Sequence, residues 1–137
     1  MRLKKFLMIP SIALMALAFA LPSTALGADG GLMHCFAFTP IADASEADWK
    51  AFYKATKELP GKVDGLNSAW AGKLRRPMRQ YGSDGGEPTL REYGVCMELR
   101  DEAALASYAE HAAHTEWVKV YSKVRIAGTL TYDIIVE

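Results

Sequence analysis

The sequence has little net charge, few cysteines and no phosphate-binding loop, and each shortage excludes a class of protein. Its 137 residues carry 16 basic and 16 acidic side chains, so the formal net charge is zero. Binding of nucleic acid by bulk electrostatics needs a basic excess, which is absent here. Two cysteines are too few for a disulfide-dense mini-scaffold, and a 50% hydrophobic content is too high for disorder. The glycines near 82–86 do not form the P-loop pattern. What remains is a single globular domain.

One long apolar run lies at the N-terminus and is typical of a secretory signal peptide. A short basic head precedes the low-polarity run 6–21, and small residues follow it. The alternative is a membrane anchor, but the run is shorter than the roughly 20 residues that span a bilayer, and Pro10 interrupts it. We expect residues 1–27 to be cleaved and residues 28–137 to form an exported domain, periplasmic or secreted. Because the basic head is lost, that domain is mildly acidic, and we expect no nucleic-acid partner and no membrane contact after cleavage.

The rest of the chain alternates strand and helix patterns. His34, Phe36 and Phe38 alternate on one face of a first strand, whose other face carries Met33, Cys35 and Ala37. Capping residues and helical spacing predict the helices, with Trp49, Phe52, Tyr53 and Thr56 as the buried stripe of the first. The predicted elements are strand 31–39, a helix after the cap at 45–48 that ends near 59, strand 66–74, an irregular loop 75–92, strand 93–99, a helix from 102, a helical stretch 115–124 and strand 129–136.

The order β-α-β-β-α-β predicts an α+β protomer with a ferredoxin-like fold. Two split βαβ halves form a four-stranded antiparallel sheet with the helices on one face. The other sheet face is left uncovered in a monomer. Because it carries Met33, Cys35 and Ala37, we expect a second copy of the chain to cover it.

The segment Tyr108–His114 resembles the Tyr-x-x-His-Pro-x-His signature of the stress-responsive α/β-barrel (Dabb) family. The opening strand, in which His34 leads alternating apolar residues, is similar to that family's first strand. The resemblance covers about residues 32–136. It implies a dimeric α/β barrel, in which two ferredoxin-like protomers close their sheets against each other.

The resemblance also implies a site between sheet and helices. A plant relative in the family is a polyketide cyclase in which a Tyr and a His act together, and the matching candidates here are Tyr108 and His114. The expected ligand-pocket residues are His34, Phe36, Val95 and His111. Two departures from the family pattern bear on catalysis: the cyclase carries a His near position 95, and the family usually has Pro where Ala112 stands. In an unbroken helix residues 108 and 114 would not converge.

Three functions therefore remain open. The first hypothesis is a homodimer that binds a small hydrophobic or aromatic molecule, and the second is an acid/base enzyme that uses the Tyr/His pair. The third is a structural dimer without ligand, in which that pair only makes local hydrogen bonds. We expect no cofactor and no metal site, because no Asp or Glu frames the histidines at ligand spacing. Cys35 and Cys96 fall on the same predicted sheet face, where they form either a disulfide or two separate thiols.

Overall fold

The computed structural model describes residues 30–137, so the predicted signal peptide lies outside the described residues. The elements are β1 Leu32–Pro40, α1 Glu46–Glu58, a 3₁₀ turn Pro60–Lys62, β2 Leu66–Gln80, β3 Thr89–Leu99, α2 Glu102–Glu110, α3 Ala112–Tyr121 and β4 Arg125–Ile135. The strands run antiparallel in the order β2-β3-β1-β4, which confirms the predicted ferredoxin-like sheet. The helices pack on one face of the sheet, called the inner face, and the opposite face is called the outer face.

The predicted helix caps are present. The Ser45 hydroxyl accepts a hydrogen bond from the backbone N–H of Asp48 at 3.1 Å, and the Asp101 carboxylate accepts one from Ala104 at 2.7 Å. Each bond satisfies a donor that the first helical turn would otherwise leave without a partner. Among residues 30–137, no helix combines the length and apolar character that crossing a membrane requires.

The core lies between the inner face and the helices. Phe38, Phe52 and Met97 are fully buried there. Trp117 Nε1 donates to the buried Thr56 hydroxyl at 2.9 Å, which ties α3 to α1 without leaving either polar group unpaired. The predicted stripe of α1 is wrong at one position: Tyr53 is 39% exposed because its ring stacks on Trp49, which is itself only partly buried.

The predicted loop 75–92 is wrong over most of its length. β2 continues to Gln80 and β3 begins at Thr89, so the two strands form a projecting ribbon and the loop shrinks to residues 81–88. The register shifts between Lys73 and Met78, around Pro77, which cannot donate to the ladder. Beyond the shift the paired residues are mostly polar and include the buried Arg91, so the sequence lacks the apolar alternation that marks a strand.

A disulfide joins β1 to β3 on the outer face. Cys35 and Cys96 lie opposite each other in the ladder, with their Cα atoms 4.2 Å apart, and both residues are bonded through sulfur. The bond closes a chain segment with a sequence separation of 61 residues. A link across so long a segment restricts the unfolded chain strongly, so it stabilises the folded state.

In the last strand, β4, the polar side chains face the helix side of the sheet and the apolar ones face away, which is the reverse of a strand that packs on helices. Thr129, Thr131 and Asp133 lie opposite Phe38, Phe36 and His34 and therefore share the inner face with them. Leu130, Tyr132 and Ile134 project from the outer face, where Tyr132 is 41% and Ile134 52% exposed. The helices pack mainly over the other three strands. The inner side of β4 is therefore an open polar surface, whereas its outer side is apolar.

We predict that the Cys35→Ser/Cys96→Ser double variant loses about 4 kcal/mol of unfolding free energy, because its unfolded chain is no longer constrained. Urea unfolding of the double variant and of the parent protein, each with and without dithiothreitol, measures this loss. The reductant should destabilise the parent alone. Two titratable thiols in the unreduced parent, or equal stability of parent and variant, would contradict the disulfide.

Candidate functional site

A cavity of about 210 Å³ opens between α3 and the inner face of β1 and β4. One end is formed by two histidines and a tyrosine, the middle by aromatic rings, and the other end by a second tyrosine and an arginine. The lining residues are His34, Phe36, Tyr108, His114, Trp117, Val118, Tyr121, Arg125, Thr129 and Thr131.

Tyr108 and His114 meet because the helical segment breaks between them. His111 has extended backbone angles (φ −72°, ψ 139°), ends α2 and begins α3. Its Nδ1 accepts a hydrogen bond from the backbone N–H of Ala113 at 3.0 Å, so the side chain caps the new helix. The change of direction brings the Tyr108 and His114 rings to 4.5 Å between centroids. The break occurs although Ala112 stands where the family signature has Pro.

His34 is held by a carboxylate. Its Nδ1 lies 2.6 Å from Asp133 Oδ1, across the β1–β4 ladder, and the His34 side chain is only 19% exposed. A carboxylate on Nδ1 fixes the ring orientation and favours a proton on that nitrogen. Nε2 of His34 is then the nitrogen left for a ligand.

His114 has the same arrangement with a different partner. Its Nδ1 lies 3.0 Å from the backbone carbonyl oxygen of Ala109, which can only accept, so Nδ1 carries the proton and donates. In the neutral ring Nε2 is again the free acceptor. The cavity therefore contains two imidazoles whose Nδ1 atoms are engaged by the protein, an arrangement able to accept a proton or a hydrogen bond from a ligand.

The two cavity tyrosines are held in their neutral form. Burial raises the pKa of Tyr108 well above its ordinary value, and Tyr121 adds to this rise. Burial also raises the pKa of Tyr121, although Arg125 and Arg91 oppose the effect. Both hydroxyls therefore serve as hydrogen-bond donors or acceptors and not as phenolate bases.

The structure brings four of the six predicted site residues to the cavity. Tyr108, His114, His34 and Phe36 line it. His111 does not line it, because its ring is used as a helix cap. Val95 does not line it either, since it is 1% exposed in the core beneath the helices.

Sequence reasoning missed Asp133, Tyr121, Arg125 and the β4 threonines. The alternation of Thr129, Thr131 and Asp133 was readable, but a polar inner face contradicts the usual rule that the helix-covered face is apolar. Arg125 precedes the strand that the sequence predicts from residue 129, whereas β4 begins at Arg125 itself. Within residues 30–137, no group of three or more His, Cys, Asp or Glu side chains is arranged to hold a metal ion.

Comparison with known proteins shows the fold. A Dabb family protein of Mesorhizobium loti with a ferredoxin-like fold superimposes with a TM-score of 0.59 at 19% identity, over 79% of this chain and 98% of that one. A dimeric ferredoxin-like protein of unknown function from Jannaschia sp. CCS1 gives 0.58 at 20% identity, over 77% and 98%. A hydroxynitrile lyase of Passiflora edulis gives 0.61 at 10% identity, over 80% and 96%.

No protein-family model matches the sequence, and no curated protein matches it significantly. At these identities the structural likeness establishes a ferredoxin-like architecture consistent with a Dabb-like domain.

We predict that Tyr108→Phe and Tyr121→Phe leave the phenolate absorbance of the folded protein unchanged at about pH 10–11, because the buried hydroxyls stay protonated there. Each variant should lose one tyrosine's share of the signal in guanidinium, where every tyrosine ionises near pH 10. The unfolded chain then loses protons that the folded chain keeps, so the free energy of unfolding falls as pH rises above about 10. A smaller folded-state signal in either variant would contradict burial of that hydroxyl.

Proposed function

We propose that this chain is an exported, homodimeric Dabb-like protein that binds a small hydrophobic or aromatic molecule in the cavity between α3 and the inner face of β4. The observation that carries the proposal is the cavity itself: aromatic walls and a few polar groups of fixed orientation are typical of a ligand site. Its volume of about 210 Å³ lies below the range for drug-sized ligands and suits a molecule with a single ring.

The outer face supports pairing with a second copy. A row of side chains crosses all four strands there, from Trp70 through the Cys96–Cys35 disulfide to Tyr132. Trp70 is 49% and Tyr132 41% exposed, and an apolar groove of about 300 Å³ lies beside the row. An apolar sheet centre of this kind is typical of a buried interface. Several structural neighbours are described as dimeric, including the proteins from Jannaschia and Thermobifida fusca.

Export is supported by the disulfide and by the N-terminal sequence. Disulfides persist in oxidising compartments such as the periplasm and are rare in a reducing cytosol. The Cys35–Cys96 bond therefore agrees with the signal-peptide pattern at 1–27, which would direct the chain to such a compartment.

We predict that Trp70→Glu converts the dimer to a monomer, because it replaces a large apolar side chain of the interface with a charge that pairing would bury. Analytical ultracentrifugation at micromolar concentration measures the change, and circular dichroism checks that the variant is folded. The control is Tyr53→Glu, at an exposed aromatic of similar exposure on the helix side, which should remain dimeric. A parent protein that is monomeric, or a Trp70→Glu variant that stays dimeric, would contradict the proposed interface.

An acid/base enzyme is the second candidate function, and the two oriented histidines favour it. His34, held by Asp133, and His114, held by the Ala109 carbonyl, both leave Nε2 for a ligand. The neutral Tyr108 lies against the His114 ring and can donate a hydrogen bond to a ligand oxygen. Such a set can remove a proton next to a carbonyl and return it elsewhere. The hydroxynitrile lyase among the structural neighbours is an enzyme, but at 10% identity it supports the fold alone.

We predict that acetophenone, a neutral one-ring ketone, binds saturably and shifts the backbone amide NMR signals of α3 and β4. Thr131→Trp, which places a large ring in the cavity, should abolish binding. The control Thr115→Trp, at an exposed position of α3 outside the cavity, should not. If acetophenone, indole and p-cresol all fail to bind the parent protein, the proposed pocket function is wrong.

Proton exchange of bound acetophenone distinguishes a binding protein from an acid/base enzyme. In D₂O an acid/base enzyme exchanges the methyl protons of acetophenone faster than buffer does, and His114→Ala should slow that exchange by about 100-fold while the variant stays folded. A binding protein shows no accelerated exchange and keeps its affinity for acetophenone in His114→Ala within a few fold.

A further inference from the structure

Two residues that line one end of the cavity each carry a buried polar atom without a protein partner. Within residues 30–137, the buried side-chain N and O atoms without a hydrogen bond are the Tyr121 hydroxyl and Nε of Arg125. Both residues line the same cavity. Tyr121 as a whole is only 4% exposed. Buried polar groups are almost always paired, so two such atoms on residues that line one cavity point to a hydrogen-bonding partner at that end of it.

The partly buried Arg125 differs from Arg91, which is the buried arginine of the described residues. The Arg91 guanidinium donates to Gln80 Oε1 through Nε and Nη2, at 3.0 and 2.7 Å, and through Nη1 to the Thr39 hydroxyl at 3.1 Å. In the described part of the chain no carboxylate lies within ion-pair distance of Arg125. Its Cζ instead lies 4.5 Å from the centroid of the Tyr121 ring. This cation–π contact holds the guanidinium in place but satisfies none of its N–H groups.

Arg125 and Tyr121 lie at the far end of the cavity from the histidines, because Arg125 pairs with Pro40 at the end of β1 and the Tyr121 ring contacts the Phe38 ring. Phe38 pairs with Thr129, Phe36 with Thr131 and His34 with Asp133, so the cavity runs along the strands from the Arg125 end to the His34 end. The rings of Phe36 and Trp117, with centroids 6.0 Å apart, lie between the two ends. A ligand that fills the cavity therefore presents one end to Arg125 and Tyr121, and its apolar body to the rings.

We propose that Arg125 and the Tyr121 hydroxyl bind the carboxylate of a small aromatic acid. This assignment rests on the proposed ligand function and narrows its ligand class. The guanidinium is a planar fork whose geometry matches a carboxylate, and the neutral tyrosine hydroxyl donates one further bond. Arg125 is the one lysine or arginine among the residues that line the cavity, so the site suits a single negative charge.

Benzoate and benzamide test the proposal, because they share size and shape but differ in charge. We expect benzoate to bind the full chain at least about tenfold more tightly than benzamide, as a charge-assisted hydrogen bond predicts. Titration followed by amide NMR measures both affinities and locates the ligand. Arg125→Gln should reduce benzoate affinity to the benzamide level. Tyr121→Phe should weaken benzoate several-fold and leave benzamide nearly unchanged.

The control for charge alone is Lys123→Gln, which removes a nearby exposed lysine and should leave the preference for benzoate intact. Arg125→Lys guards against misfolding, because it keeps the charge and should retain part of that preference. Equal binding of benzoate and benzamide by the parent, or a preference that survives Arg125→Gln, overturns the anion site. If benzamide and acetophenone still bind in that case, the pocket function stands; if no aromatic compound binds, both proposals fail.

Discussion

The placement of polar side chains on the inner face of β4, and of apolar ones on its outer face, is the constraint on which the rest of the structure depends. A strand displays its side chains alternately on two faces, so a single register decides both at once. In β4 that register places Thr129, Thr131 and Asp133 beside the helices, and Leu130, Tyr132 and Ile134 away from them. The polar side cannot be sealed by α3 and becomes the wall of a cavity. The apolar side adds to the exposed apolar surface of the outer face, and burial of that surface favours pairing with a second copy.

The cavity depends equally on the end of α2 at His111. His111 performs the role that Pro fills in the family signature: its extended backbone ends α2, and its Nδ1 caps α3. Tyr108 and His114 converge as a result, and α3 then carries Trp117 and Tyr121 along the cavity wall. The chemistry is divided between two ends. One holds imidazoles with free Nε2 atoms, and the other holds Arg125 and Tyr121, whose buried polar atoms lack protein partners.

The sequence carried enough information for the architecture but only part of the site. Alternation and caps defined the element order, and placed Cys35 and Cys96 on one face. The pairing itself needed the ladder register, which local patterns do not encode. The site roles of Asp133 and Arg125 could not be predicted for a related reason. They depend on the residues of neighbouring elements and on a helix layer that is too narrow to cover β4. The β2–β3 ribbon was missed because an exposed polar strand lacks an apolar period.

A crystal structure of the protein grown with benzoate tests the central claim most directly, that the two faces of β4 serve different partners. The account predicts two copies joined through their outer faces, with Trp70 and Tyr132 buried between them. It also predicts a benzoate carboxylate within about 3 Å of Arg125 and the Tyr121 hydroxyl, with the ring against Phe36 and Trp117. Outer faces left in solvent, or benzoate bound away from Arg125, would contradict the account.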